Sequence, residues 1–151
     1  NYDVGDCCLM DINTDSCSDC NCLSSGVITS PGFPLNYDNN LDLSWLIQVQ
    51  IGQQIHISFL HFEFSGKLLH VFYHYKNNYE IGIIVSAWRF GIYDGGSMTS
   101  PMIGEYSMFS TPPDIISMSN EILINFLTNP FGPAFTDIGF KLMYNPTSNQ
   151  H

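Results

Sequence analysis

The stretch from Ser25 to Trp45, SGVITSPGFPLNYDNNLDLSW, constrains the fold of this chain more than any other. It reads as strand, tight turn, turn, strand. Val27 to Ser30 suits an extended segment. Ser30-Pro31-Gly32-Phe33-Pro34 is a Pro/Gly break with an aromatic held inside it. Asn36 to Asn40 forms a second polar turn, and Trp45 opens an alternating apolar run.

The same period of two recurs down the chain. Trp45, Ile47, Val49 and Ile51 alternate with more polar positions, as do Ile55, Ile57 and Phe59. Ile122, Ile124 and Phe126 follow the pattern, and so do Ile138, Phe140, Leu142 and Tyr144. Each run places one apolar face on a strand. Gly, Pro, Asn and Ser clusters separate the runs, and no segment carries sustained helical spacing with caps. Hydrophobic residues make up 44% of the 151-residue chain, enough for a sizeable core. The 11 Phe and 8 Tyr suit pleated strands. The pattern predicts an all-β fold, a two-layer antiparallel β-sandwich of jelly-roll type. Its inward residues are expected to be Trp45, Ile47, Val49, Ile57, Phe59, Ile92, Ile124, Phe126 and Phe140.

The order of the motifs adds a resemblance. SPGFP, then NYDNN, then Trp45-Leu46-Ile47 resembles the opening of a CUB domain, an extracellular β-sandwich module. ISFLHFEF (Ile57 to Phe64), Ile92-Tyr93-Asp94-Gly95 and Ile103-Gly104-Glu105-Tyr106 before Pro112-Pro113 resemble its middle segments. NEILINFL (Asn120 to Leu127) and GFKLMY (Gly139 to Tyr144) resemble its last strands. The resemblance runs from Cys22 to Tyr144. It divides the chain into a Cys-rich N-terminal extension (1–21), a CUB-like domain (22–145) with an insertion at about 67–86, and a flexible polar tail (146–151).

The chain departs from the family's pattern in three places. The family's two core disulfides lack their partners, because Leu43 and Tyr106-Ser107-Met108 stand where cysteines belong and no Cys follows Cys22. The family's three acidic calcium ligands fall on Ser65, Trp88 and Asn129, none of which carries negative charge. A hard cation needs several oxygens with charge among them, so no metal and no other cofactor is expected. Lys67 to Ser86 has no counterpart in the family. It reads as a hairpin, HVFYHY, a KNN turn, then YEIGIIV. A retained, translated intron is the alternative, since Gly66-Lys67 and Val85-Ser86 are compatible with splice-site codons.

The five cysteines, Cys7, Cys8, Cys17, Cys20 and Cys22, all lie near the N-terminus. With one C-x2-C knuckle they fit a disulfide staple better than a zinc site. Two bridges within 7–22 are expected, with one sulfur free or joined to another chain. Asp11, Asn13 and Asp15 resemble the start of an EF-hand loop, but Ser16 and Cys22 occupy the positions that need Gly and Glu. His70 and His74 on one strand would stand roughly 13 Å apart, too far for one metal. No Ser sits in a Gly-x-Ser-x-Gly elbow. An enzyme is therefore not expected.

Formal net charge is −10 with four Lys and Arg. Few cations can neutralise few phosphates, so nucleic acid is excluded as a partner. No apolar run is long enough for membrane insertion. The reading is a non-catalytic, secreted, extracellular module for protein interaction or assembly, self-association included. Alternatives are a structural subunit of a coat, cuticle or filament, and a carbohydrate-binding module contacting glycans. Tyr37, Asp38, Trp88, Asp94 and Asn129 are the candidate binding residues, placed on the loops at one end of the sandwich with Tyr37 and Trp88 as exposed apolar contacts.

Overall fold

The computed structural model describes residues 9–13, 16–19, 25–38, 40–63, 69–75, 78–84, 89–106, 112–128 and 138–148, with the backbone alone for 16–19, 69–75 and 78–84. In chain order the strands are β1 (Leu9–Asp11), β2 (Ser16–Asp19), β3 (Gly26–Thr29), β4 (Asp42–Gln48), β5 (Gln53–Glu63) and β6 (Leu69–Tyr75). There follow β7 (Asn78–Ile84), β8 (Arg89–Tyr93), β9 (Met102–Tyr106), β10 (Ile115–Ile116), β11 (Glu121–Leu127) and β12 (Gly139–Ser148). A six-stranded sheet has the order β2-β1-β4-β11-β8-β9, and a four-stranded sheet the order β10-β5-β12-β3. Every pairing is antiparallel. No helix occurs among the described residues.

Alternation explains the core. Trp45, Ile47, Phe90, Ile92, Ile122, Ile124 and Phe126 face inward from the larger sheet. Ile28, Ile55, Ile57, Phe140, Leu142 and Tyr144 meet them from the smaller one. Phe140 is the hub: its ring lies edge-on to Phe90 at 4.8 Å, Phe126 at 5.3 Å and Trp45 at 5.8 Å. Edge-to-face pairs of this kind add about 0.5–1.5 kcal/mol each beyond their buried area.

The alternating runs depart from the core at two residues, Ile51 and the expected inward Phe59. Ile51 continues the alternation of β4 on paper, yet it is 95% exposed. The chain has already turned there, with Gln53 N donating to Gln50 O and Gly52 at φ 92°. Phe59 is only half-buried. The β5–β12 register shifts there, pairing Leu142 with Phe59 and Lys141 with His61, so Leu60 is an extra bulged residue and bulges outward, 54% exposed. Phe59 instead packs on the core margin against Phe62 and Phe90.

Three segments outside the expected core strands also take part in pairing. β1 pairs with β4, Met10 opposite Leu46, and β2 pairs with β1. β12 runs on through Pro146 to Ser148, opposite Gln53. Its other neighbour, β3, reaches only as far as Tyr144. The missing N–H of Pro146 therefore lies beyond that ladder, where it costs no strand hydrogen bond. β6 and β7 form a hairpin from Leu69↔Ile84 to Tyr75↔Asn78, matching the hairpin reading of the insertion.

Candidate functional site

The registers define two ends of the sandwich. At one end Asp42, Leu127 and Arg89 are successive partners across β4, β11 and β8. The loop from Ser30 to Leu41 closes this end. At the other end Gln48 pairs with Glu121, and Tyr93 leads out of β8 into Asp94.

At the first end the SPGFP segment is a compact turn. Phe33 N donates to Ser30 O (3.1 Å) and Leu35 N to Gly32 O (2.7 Å), with Gly32 at φ 81°. That positive φ favours glycine over any residue with a Cβ. The Phe33–Pro34 peptide is cis. Ser30 is fully buried. Its Oγ accepts from Phe140 N (3.1 Å) and donates to Ile138 O (3.2 Å), so both its functions are satisfied. Gly139, at φ 90°, lies against it, and a Cβ there would collide with Ser30 Oγ.

The next turn is fixed from below. Buried Thr128 accepts at Oγ1 from Leu41 N (2.7 Å) and donates to Asp38 O (3.2 Å), while Thr128 N donates to Leu41 O (2.8 Å). Asp38 is thereby held by its backbone with its side chain exposed. Tyr37 is not the exposed contact expected from its polar surroundings. It is 4% exposed, with its ring edge-on to Phe126 at 5.4 Å. Its apolar area is worth more in the core than in the turn.

The five candidates do not share one end. Trp88 and Asn129 lie outside the described residues, but their chain neighbours Arg89 and Thr128 stand at the Asp38 end. Asp94 lies at the opposite end, five strand steps beyond Arg89, roughly 16 Å away. Strand spacing fixes distance along the chain but not which end a loop reaches. The Asp94 carboxylate receives Met118 N at Oδ2 (2.7 Å), and Ser119 N (3.0 Å) and Ser119 Oγ (2.6 Å) at Oδ1. Its own N–H donates to Pro101 O (2.8 Å). Buried Ser117 extends this latch, accepting from Ile55 N (2.8 Å) and donating to Ser119 O (2.6 Å). Gly95 packs so tightly on Ser100 that a Cβ would clash with its hydroxyl.

Sequence reasoning missed the hydroxyls Ser30, Ser117, Ser119 and Thr128. Their signal is a Ser or Thr directly flanking an apolar strand, where a buried N–H needs an acceptor. The two histidine pairs, His56–Asp114 at 3.4 Å and His61–Glu63 at 3.1 Å, are solvent-facing and contribute little. No group of three His, Cys, Asp or Glu gathers among the described residues. The family's calcium positions, Ser65, Trp88 and Asn129, and the side chains of all five cysteines lie outside them.

The family model of the CUB domain matches residues 17–144, and the chain belongs to that family. CUB domains are extracellular protein-interaction modules. The chain is similar to pig cubilin, 34% identical over 112 residues, covering 73% of this chain and 3% of that protein. It is 30% identical over 118 residues to human tumor necrosis factor-inducible gene 6 protein, covering 78% of this chain and 36% of the relative. The CUB1-EGF-CUB2 structure of human MASP-1/3 superposes with a TM-score of 0.58 at 18% identity, over 83% of this chain and 42% of that one. That likeness is one of fold.

Proposed function

We propose that the chain is a non-catalytic, extracellular module that binds another protein through the loops at its Asp38 end. The observation that carries this reading is the built loop itself. Thr128, Ser30 and Tyr37 are spent on holding the 30–41 segment, and the Asp38 carboxylate is left exposed upon it. A preorganised loop loses little entropy on binding, which is what an interaction surface needs. Arg89 and Thr128, the chain neighbours of the candidates Trp88 and Asn129, stand at this end. Tyr37 supports it from beneath. Asp94 serves the opposite end. Extracellular placement follows the family's habit and its relatives cubilin and tumor necrosis factor-inducible gene 6 protein.

The test is a binding screen of the purified domain against an array of secreted and cell-surface ectodomains, beside a glycan array. Saturable binding to a protein that weakens at least tenfold in Asp38→Lys, with an unchanged melt, supports the reading. Binding confined to glycans, or protein binding indifferent to Asp38→Lys and Trp88→Ala, overturns it.

A further inference from the structure

Asp94-Gly95 is the only Asp-Gly step in the chain, and no Asn precedes a glycine. This dipeptide has a spontaneous chemistry of its own. The Gly nitrogen attacks the side-chain carboxyl carbon of Asp, a C–N bond forms, and one carboxyl oxygen leaves as water. The product is a cyclic succinimide. Water then opens the ring at either carbonyl, which returns Asp or yields isoaspartate, whose main chain runs through the former side chain. No oxidant and no co-reactant beyond water takes part. Glycine favours the attack because it lacks a Cβ and tolerates the backbone rotation that ring closure requires.

Here the two reacting groups are each tied to something else. Ring closure requires Cγ of Asp94 to swing onto Gly95 N and one of its oxygens to depart. Both oxygens are occupied: Oδ2 receives Met118 N (2.7 Å), and Oδ1 receives Ser119 N (3.0 Å) and Ser119 Oγ (2.6 Å). These donors lie 24 and 25 residues along the chain, in the turn ahead of β11. Ser119 is the keystone, supplying two of the three donors while its Oγ accepts from Glu121 N (3.3 Å). The nitrogen side is held separately. Asp94 N donates to Pro101 O (2.8 Å), and Ser100 N to Ser97 O (3.0 Å). Gly95, at φ 148°, lies against the Ser100 hydroxyl, and a Cβ on Gly96 would come within 2.7 Å of Glu121 Oε2.

We propose that Asp94-Gly95 is a latent isomerisation site, closed while the Met118-Ser119 latch is shut and open to succinimide formation whenever the latch opens. Isoaspartate puts one extra carbon in the main chain between Asp94 Cα and Gly95 N. It leaves the carboxylate directly on Cα, one carbon shorter than the side chain that reached Met118 and Ser119. The latch cannot reform, so the molecule keeps a record of having opened. A local opening is enough. The Asp94 loop and the Met118-Ser119 turn are partly exposed, whereas Ile92 and Ile122 beneath them are fully buried and keep the sheet paired. Thr128 and Ser30 anchor the Asp38 end without using Asp94, so the modification spares that end.

The experiment is a storage series at neutral pH and body temperature on the whole chain, on its Ser119→Ala and Ser119→Thr variants, and on a synthetic peptide of residues 90–98. Isoaspartate is read by chromatographic separation and mass spectrometry after digestion, beside enzymatic methylation of isoaspartyl groups. The peptide should isomerise, and the whole chain at least tenfold more slowly. Ser119→Ala should isomerise at least threefold faster than the parent, with Ser119→Thr, which keeps the hydroxyl, close to the parent rate. The isoaspartyl fraction should show faster amide exchange at Met118 and Ser119 and unchanged exchange at Leu41. Opening the latch exposes little surface, so the parent's rate should stay nearly flat in urea well below the unfolding midpoint. That urea series decides the matter on the parent alone should Ser119→Ala fail to fold. Isomerisation of the parent at the peptide's rate, equal rates in the parent and a folded Ser119→Ala, or a rate that tracks global unfolding through the urea series overturns the proposal.

Discussion

The two ends of this sandwich solve the same problem with opposite chemistry. At one end the Asp94 carboxylate draws three donors from the Met118-Ser119 turn, so a charge organises the loop. At the other end neutral hydroxyls of Ser30 and Thr128, with the Tyr37 ring, hold the loop from inside, and the only carboxylate there, among the described residues of the 30–41 segment, points to solvent. An acid that is spent on backbone donors is unavailable to a partner. An acid held only by its backbone remains available. The presence of Asp in a turn therefore says little about function until its donors are counted.

Both ends rest on a shared centre, and breaking that centre has the largest expected effect. Phe126→Ala removes a ring that touches Phe140 and Tyr37, and should cost about 3–5 kcal/mol in urea unfolding while loosening both ends together. A loss under 1 kcal/mol would mean the ends are not coupled through this core. Asp94→Ala comes next. It strands two backbone N–H groups and a hydroxyl, and should cost about 2–3 kcal/mol. Amide exchange should accelerate at Met118 and Ser119 but stay slow at Leu41. Thr128→Val does the reverse: about 1–2 kcal/mol, with faster exchange at Leu41 and little change at Met118. Equal losses from Asp94→Ala and Thr128→Val, or exchange changes at both ends in either variant, would dissolve the contrast.

Alkaline pH gives a smaller effect. Burial raises the Tyr106 phenol above its ordinary 10.0, so the folded state holds that proton more tightly than the unfolded chain. Its contribution is complete below pH 10 and is lost as pH rises through the folded value. Tyr106→Phe should flatten the melting curve's decline above pH 10 relative to the parent. Calcium should have the least effect of all. With Ser65, Trp88 and Asn129 at the family's acidic positions, millimolar calcium should leave the melting temperature unchanged. A rise that disappears in Glu63→Gln or Asp38→Asn would reveal a rebuilt site at the Asp38 end and erase the difference in chemistry between the two ends.

The fold was legible because its signal is local. Strict alternation marks Ile47, Ile57, Ile124 and Phe140 for burial whatever their partners, and all four are fully buried. The site was less legible because its determinants are not local. Ile51 keeps the alternation while the chain leaves the strand at Gly52. Tyr37 sits among Asn and Asp and still turns inward, since Phe126, distant in sequence, offers it a ring edge. Asp94 was grouped with residues of the far end because spacing along a strand carries no information about direction.

The pairing of β1 with β4 has a practical corollary for anyone trimming this protein. β4 is flanked by β11 on one side and by β1 on the other. A fragment starting at Cys22 would leave the β1-facing side of β4 with bare amides and carbonyls, beside Leu46 and Ile47. Such an edge recruits another strand from whatever chain is nearest. Fragments that begin ahead of Leu9 should stay monodisperse in gel filtration, and those that begin at Cys22 should elute as dimers or larger species.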